Sequence, residues 1–174
     1  MSKETDELAG RITLRKVELP ADDEFLRGLY RTTRDDLAAL PLDDTQRAAL
    51  IEMQFEAQSR GYDSEYPGAD HYIVLFDEKP IGRYLVDRGI EEICCVDLAL
   101  LPEYRSMGIG TSVLRSTFTE AARTNRVFVL HVLKSNRAFE LYLRLGCVVT
   151  GDSGTHYSMR WQPSDDQTEA VGRK

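Results

Sequence analysis

The most constraining feature of this 174-residue chain is a glycine-bearing turn, 105–111, between an apolar run and a helical pattern. The apolar run is Val96 to Leu101, and the helical pattern continues to Phe118. A strand, a turn and a helix in this order direct several backbone N–H groups outward at the helix N-terminus, where an anion can bind. Gly108 and Gly110 let the main chain approach a phosphate, and the helix dipole adds about half a positive charge. The turn therefore predicts a phosphorylated ligand.

A second segment downstream is typical of a short helix. Asn136 stands at its cap and Gly146 ends it. The apolar positions between them are Phe139, Leu141, Tyr142 and Leu145.

Together the two segments resemble the GNAT superfamily of acyl-CoA-dependent N-acyltransferases. The first is similar to the family's Arg/Gln-x-x-Gly-x-Gly/Ala pyrophosphate loop, and the second to its Asn-x-x-Ala-x-x-x-Tyr-x-x-x-Gly-aromatic helix. The chain has Ser106 where the family often has glycine, Met107 where a basic residue is frequent, and Cys147 where an aromatic is usual. Because the implied pyrophosphate contact is mainly through the backbone, we expect these departures to weaken coenzyme binding only slightly.

The resemblance implies an α/β (α+β) fold, a mixed sheet with helices on both sides. It also implies acetyl-CoA as co-substrate and no metal. The implied coenzyme-binding residues lie on the strand before the loop, in the loop and on the second helix. They are Leu98, Leu100, Arg105, Met107, Gly108, Ile109, Gly110, Thr111, Asn136 and Phe139.

Tyr142 is the predicted catalytic acid. The resemblance implies that this tyrosine lies near the coenzyme sulfur, where a phenol can give a proton to the departing thiolate. The alternative is an amphipathic tyrosine that only packs on its helix.

The general base is left open among three alternatives. Many family members carry a glutamate where this chain has Cys94, and a free thiol usually serves as a small buried apolar group. Glu92 ranks first because it lies two residues back on the same strand face, although it is otherwise a solvated strand-end charge. Asp97 ranks second, since it faces the other side unless a β-bulge shifts the alternation. A water chain without a dedicated base is the third alternative.

The remaining titratable candidates are given no catalytic role. His131 lies in an apolar run and is interpreted as a core or sheet-edge histidine, while His71 and His156 have less context. By resemblance, the acceptor binds at the first two helices, their loop and the ends of the central strands. Aromatic and acidic side chains in that region suit an ammonium group, but they do not specify the acceptor.

Periodicity predicts the other elements. Helices are expected from Asp22 or Asp23 to Tyr30 and from Asp44 to about Arg60, followed by a loop over 61–68. The predicted strands cover 11–17, 71–76, 81–86, 92–101, 127–133, 147–150 and 156–161. The continuous apolar run at 127–133 suits a strand buried on both faces.

Length and composition allow one domain over 11–162, with a disordered segment at 1–10 and a flexible tail at 163–174. A net charge of −7 and a pI of about 5.0 disfavour nucleic acid as a partner. Three cysteines without metal-ligand spacing indicate a reducing cytoplasm. No signal peptide or membrane-length apolar run is expected.

These patterns predict an N-acetyltransferase that moves an acetyl group from acetyl-CoA directly to a primary amine of a small molecule or peptide. One alternative is a catalytically weak acyl-CoA-binding protein of the same fold, and another is an acyltransferase that uses a longer acyl-CoA. A nucleotide-binding P-loop is excluded, because no Gly-Lys-Ser/Thr follows the turn. The oligomeric state is left open between monomer and homodimer.

Overall fold

The computed structural model describes residues 3–34, 36–37 and 40–163. Within these residues the helices are α1 (Lys3–Gly10), α2 (Asp23–Arg31), α3 (Asp44–Glu65), α4 (Ile109–Arg123) and α5 (Ala138–Arg144). The strands are β1 (Ile12–Lys16), β2 (Asp70–Phe76), β3 (Lys79–Arg88), β4 (Glu92–Leu100), β5 (Val127–Leu133), β6 (Val148–Asp152) and β7 (His156–Trp161). No helix in this part of the chain combines the length and apolarity needed to cross a bilayer.

The seven strands form one sheet in the order β1-β2-β3-β4-β5-β7-β6. Neighbouring strands are antiparallel except for β4 and β5, which are parallel. The larger core lies between the sheet and α4, and includes Ile93, Leu114 and Phe128. A smaller core on the other face includes Leu26 of α2 and Phe55 of α3. The predicted mixed sheet with helices on both sides is confirmed.

Helix α3 is longer than the sequence pattern predicts. It continues through Gly61 to Glu65, so the expected loop over 61–68 begins only at Tyr66. The ring of Tyr62 lies under the Arg83 guanidinium, at 5.4 Å from the ring centroid, and Tyr66 N donates to Tyr62 O at 2.8 Å. The tertiary contact of Tyr62 and this cap hydrogen bond outweigh the helix penalty of one glycine, which is about 1 kcal/mol.

The N-terminal segment also differs from the expectation of disorder over 1–10, because Lys3–Gly10 is the helix α1. Leu8 is half-buried against the larger core, and its carbonyl accepts a hydrogen bond from Arg11 N at 3.1 Å. A single apolar side chain with a place to pack is enough to order a short polar helix, which composition does not reveal. Residues 1–2, and residues 164–174 of the expected tail, lie outside the described residues.

Strand β5 is not buried on both faces, contrary to the prediction. Its first half follows the expected burial, but His131 is exposed and Leu133 is 47% exposed. These exposed residues alternate with the buried Phe128, Leu130 and Val132, so only one face of this half of β5 is covered.

Asp22 is the N-cap residue of α2, but its side chain forms no capping hydrogen bond with the helix. Both carboxylate oxygens instead accept hydrogen bonds from Arg15, at 2.7 and 3.0 Å, and one also accepts from Glu18 N at 2.8 Å. The pair joins β1 to the loop that leads into α2. The hydrogen bonds from Arg15 lower the pKa of Asp22.

Asp22→Asn should destabilise the fold by about 1–3 kcal/mol at pH 7, because it weakens two charged hydrogen bonds of a buried acceptor. Since the folded pKa of Asp22 is lowered, its stabilisation is present above the ordinary aspartate value of about 4 and is lost as pH falls through the folded value. Urea unfolding of both proteins between pH 3 and pH 7 measures this. The control is Asp77→Asn, which removes an exposed pairing with Arg11 and should change stability little. Equal losses in the two variants would contradict the assignment.

Candidate active site

The two central strands separate half-way along their length. Parallel pairing of β4 with β5 runs from Glu92 and Val127 to Cys95 and Leu130 and then ends. Strand β4 continues to Leu100 along β3, and β5 continues along β7. The edge of β4 that faces β5 therefore has no ladder partner beyond Cys95, and its backbone groups can bind an extended ligand.

A β-bulge in β4 determines which side chains reach this gap. Leu85 pairs with Asp97 and Val86 with Cys95, so Val96 is the extra residue. The bulge shifts the alternation, as the sequence argument required for Asp97. Asp97 consequently lies on the same sheet face as Cys94, the face covered by α2 and α3.

Asp97 is held by a buried guanidinium. Arg83 Nε donates to Asp97 Oδ2, and the Arg83 side chain is only 6% exposed. A second bond runs from Arg83 Nη2 to Gln58 Oε1 of α3, at 2.8 Å. The Asp97 side chain keeps 24% of its surface exposed, and among the described residues only Arg83 bonds its carboxylate. Asp97 Oδ1 is therefore free to bind a water molecule.

Glu92, the first choice for the base, is not at the gap. It is exposed and pairs with Val127 at the opposite end of the parallel ladder. The structure gives no support to a catalytic role for Glu92, because the strands separate only after Cys95. Its position fits the solvated strand-end charge that the sequence also allowed.

Cys94 is equally unsuited to accept a proton. The residue is buried, and burial raises the pKa of its thiol to about 11, although a hydrogen bond with Tyr66 acts in the opposite direction. A thiol with this pKa stays protonated at neutral pH, so Cys94 does not replace the family's glutamate functionally.

Tyr142 lies on α5 and is 8% exposed. Burial raises its pKa, and the charge of Asp97 acts in the same direction, so the phenol stays protonated at neutral pH. No described residue forms a hydrogen bond with its hydroxyl group. The side chain can donate a proton to a ligand, which is the chemistry expected of an acid.

The glycine turn has the backbone conformation of an anion site. Gly108 has φ +84° and directly precedes α4, while Ser106 also has a positive φ of +62°. This left-handed conformation explains why the family often has glycine at position 106. A Cβ at Gly108 would lie 3.1 Å from Leu8 Cδ2, so α1 packs against the turn. Met107 is 46% exposed and brings no charge to the turn.

Arg105 is engaged in the structure and does not stand free at the entrance of the turn. Its Nε donates to Leu100 O at 2.9 Å, and its Nη2 donates to Thr32 O at 3.2 Å. Thr32 directly follows α2. Arg105 thus joins the end of β4 and the turn to the helix on the opposite side of the sheet.

The second motif is placed only in part as expected. Ala138, Tyr142 and Gly146 follow the family spacing, whereas Asn136 is one residue closer to Ala138 than that pattern has it. Asn136 Oδ1 accepts from Ala138 N at 2.9 Å and so binds the first turn of α5. Phe139 packs on the ring of Tyr157, with centroids 5.0 Å apart.

The other proposed coenzyme residues line the far end of β4 and the start of α4. Leu98 and Leu100 are half-buried beside the larger core, Ile109 is 1% exposed, and Gly110 faces Leu98. Thr111 lies in the first turn of α4. The separated edge of β4, the turn and Tyr142 on α5 thus surround one gap.

A family model for the acetyltransferase (GNAT) domain matches residues 67–148, from just before β2 to the start of β6. This part of the chain is similar to the GNAT superfamily. No curated protein sequence matches the chain. Similarity to solved GNAT structures extends over most of the chain.

One similar structure is the PaiA N-acetyltransferase from Thermoplasma acidophilum with coenzyme A. It is 18% identical with a TM-score of 0.67, over 87% of this chain and 99% of that one. Another is Arabidopsis thaliana Naa50 with the bisubstrate analogue CoA-Ac-MVNAL, at 16% identity and a TM-score of 0.60, over 88% and 99%. A GNAT acetyltransferase from Elizabethkingia anophelis with acetyl-CoA bound has 15% identity and a TM-score of 0.57, over 88% and 99%. At these identities the similarity shows the GNAT fold.

Arg83 and Gln58 are not among the site residues predicted from the sequence. The available signal is that Arg83 is a charged residue within the otherwise apolar run of β3, which indicates a buried partner. That partner, Asp97, became visible only with the bulge. Among the described residues, no group of three or more His, Cys, Asp and Glu side chains is placed to hold a metal ion.

Gly108→Glu should abolish acetyl-CoA binding, because a side chain and a negative charge would then occupy the anion site. Calorimetric titration with acetyl-CoA measures this. The control is Gly154→Glu, since Gly154 has a similar φ of +88° and lies in the turn between β6 and β7 with no neighbouring atom within 4 Å. Unchanged affinity in Gly108→Glu, or equal losses in both variants, would show that the turn does not bind the coenzyme.

Proposed function

We propose that the chain transfers an acetyl group from acetyl-CoA to a primary amine of a small molecule or peptide. The observation that carries the proposal is the gap between β4 and β5, which has the N-terminus of α4 at one end and both Asp97 and Tyr142 beside it. These residues fit the coenzyme. The left-handed Gly108 leaves backbone N–H groups for a pyrophosphate, and the edge of β4 leaves backbone groups for a pantetheine arm.

The proposed coenzyme contacts are those of the first sequence prediction, with two changes of role. Backbone groups of Leu98, Leu100 and 107–111 are the main binding surface. Arg105 acts by positioning, because its guanidinium is bonded to Leu100 and Thr32. Asn136 stabilises the first turn of α5.

Acetyl-CoA would supply an activated acyl thioester. In the transfer a C–N bond forms to the amine and the C–S bond breaks, so one proton must leave the nitrogen and one must reach the sulfur. In this proposal Tyr142, which keeps its proton at neutral pH, gives that proton to the sulfur. In this proposal Asp97 orients a water molecule that takes the proton from the amine, and the hydrogen bond from Arg83 holds the carboxylate.

Positioning provides the largest share of the rate in this proposal. Well-oriented intramolecular reactions gain about 7–11 kcal/mol over their bimolecular counterparts, whereas one acid or base group gives about 10²–10⁴-fold. Two substrates held on either side of the β4–β5 gap need only modest help from side chains.

The competing function is coenzyme binding without turnover, and the observation that favours it is the protonated thiol of Cys94 in place of the family's glutamate. Release of free thiol from acetyl-CoA with a panel of primary amines separates the two. An enzyme releases thiol in proportion to amine, whereas a binding protein shows only thermal stabilisation by the coenzyme. Stabilisation without any thiol release would overturn the proposed function.

Tyr142→Phe should leave the affinity for acetyl-CoA unchanged and lower kcat by about 10²–10⁴-fold, because the proton donor is removed while the ring remains. Steady-state kinetics and calorimetry measure the two quantities. Tyr72→Phe on β2 is the control, since that ring packs under Lys16 and Arg88, two strands away from β4. A Tyr142→Phe enzyme with normal kcat would leave the tyrosine as packing only.

Asp97→Asn should lower kcat/KM most at low pH and less at high pH, because an amine that arrives deprotonated needs less help. The matched control is Glu92→Gln, a carboxylate on the same strand that is exposed and away from the gap. We expect its pH profile to follow the unmodified enzyme. Three identical profiles would favour the water chain without a dedicated base.

A further inference from the structure

The buried Arg83 uses only one of its donors on Asp97. Nε of Arg83 donates to Asp97 Oδ2, and no second bond joins the two side chains in the part of the chain that the structure describes. A planar guanidinium can donate from Nε and the adjacent Nη to both oxygens of one carboxylate, and such two-donor pairing is common. The single bond leaves Asp97 Oδ1 without this partner.

Other arginines of the chain form the complete pairing. In three pairs Nε bonds one carboxylate oxygen and Nη2 bonds the other: Arg11–Asp77, Arg34–Asp36 and Arg88–Glu120. For Arg88 the two bonds are 2.8 and 3.0 Å long. Arg27 differs, since it bonds Asp23 through Nε and pairs with Glu52 through Nη1. Two-donor pairing is therefore the more frequent arrangement where an Nε bonds a carboxylate among the described residues.

Gln58 binds the donor that would complete the pairing with Asp97. Nη2 of Arg83 donates to Gln58 Oε1 at 2.8 Å. Gln58 lies on α3, and Tyr62 follows one helical turn later on the same side of the helix. The Cζ atom of Arg83 is 5.4 Å from the centroid of the Tyr62 ring. Helix α3 thus contacts the guanidinium through two side chains and directs Nη2 away from Asp97 Oδ1.

The oxygen left in this way is the one that the proposed reaction needs. A bond from Nη2 to Oδ1 would compete with a water molecule for that oxygen. Hydrogen bonds to a charged acceptor are stronger than those to a neutral one, so Nη2 would bond Oδ1 if the amide of Gln58 did not hold it. The position of Gln58 on α3 consequently decides how Arg83 and Asp97 pair.

We propose that Gln58 is a positioning residue for the transfer. By accepting from Arg83 Nη2 it prevents two-donor pairing with Asp97, and it keeps Oδ1 available to the water molecule that takes the proton from the amine. The inference rests on the proposed function and adds to it a residue of α3 that acts only through Arg83.

The structure of a variant tests the pairing directly. Gln58→Met removes the amide oxygen and keeps an unbranched side chain of similar length. Its crystal structure should show Nε and Nη2 of Arg83 on the two oxygens of Asp97. A variant in which Oδ1 still accepts no bond from Arg83 would overturn the inference. Absence of thiol release by the unmodified protein would instead remove the transferase function, which this structure does not test.

Steady-state kinetics on the full chain measure the consequence. Gln58→Met should lower kcat about 10- to 150-fold, the change expected of one hydrogen bond to a charged group, and leave KM for acetyl-CoA unchanged. Gln58→Glu keeps an acceptor for Nη2 and should retain most of the activity. The matched control is Gln54→Met, one turn earlier on α3, because Gln54 Oε1 has no hydrogen-bond partner among the described residues. Its kcat should equal that of the unmodified protein.

Arg83→Lys separates this role from a loss of packing, because an ammonium group cannot form the planar two-donor pairing. In the Arg83→Lys background Gln58→Met should cost no further activity. Equal losses from Gln58→Met in the two backgrounds would show that Gln58 only packs, and an unchanged kcat in Gln58→Met alone would show that Oδ1 does not depend on it. Either result would overturn the inference.

Discussion

The loss of pairing between β4 and β5 is the constraint on which the rest of the site depends. A sheet tolerates it only where other groups satisfy the exposed backbone or a ligand does so. Here Arg105 Nε bonds Leu100 O, and Leu101 N donates to Ile81 O, so the end of β4 is held without β5. The larger core under β4 and β5 keeps both strands fixed while they separate. The gap is therefore part of the packed fold. This suits the proposed transfer, because that reaction relies on the positioning of its two substrates.

The bulge at Val96 is the second requirement, and it shows how far sequence reasoning can go. Strict alternation places Cys94 and Asp97 on opposite faces, and only the extra residue brings them to the same one. From the sequence, Asp97 is a candidate only if β4 contains a β-bulge, and the sequence does not show whether it does. A bulge depends on the register with β3, which is a property of two strands together. Glu92 ranks above Asp97 in the sequence prediction because simple alternation, without a bulge, places it on the same face as Cys94.

Other features were predictable where the decisive interaction is local. The strands β5 and β7, the turn after β4 and the end of α5 at Gly146 follow from periodicity and from glycine. The failures involve contacts between distant residues. Tyr62 extends α3 beyond Gly61 by packing under Arg83, and Leu8 orders α1 by packing against Gly108. The sequence likewise does not predict that His71 Nε2 is buried without a hydrogen-bond partner, because this depends on which residues surround it in the fold.

The two faces of the sheet differ in how firmly they are built, and this difference matches their proposed roles. The core beside α4 is extensive, whereas the core that joins α2 and α3 to β2 is small. Segments with few buried apolar contacts open more easily than a large core does. In the proposed function the coenzyme binds beside the larger core, and the acceptor approaches from the side of α2 and α3. Arg105 connects the two sides, because its guanidinium donates both to Leu100 O at the end of β4 and to Thr32 O after α2.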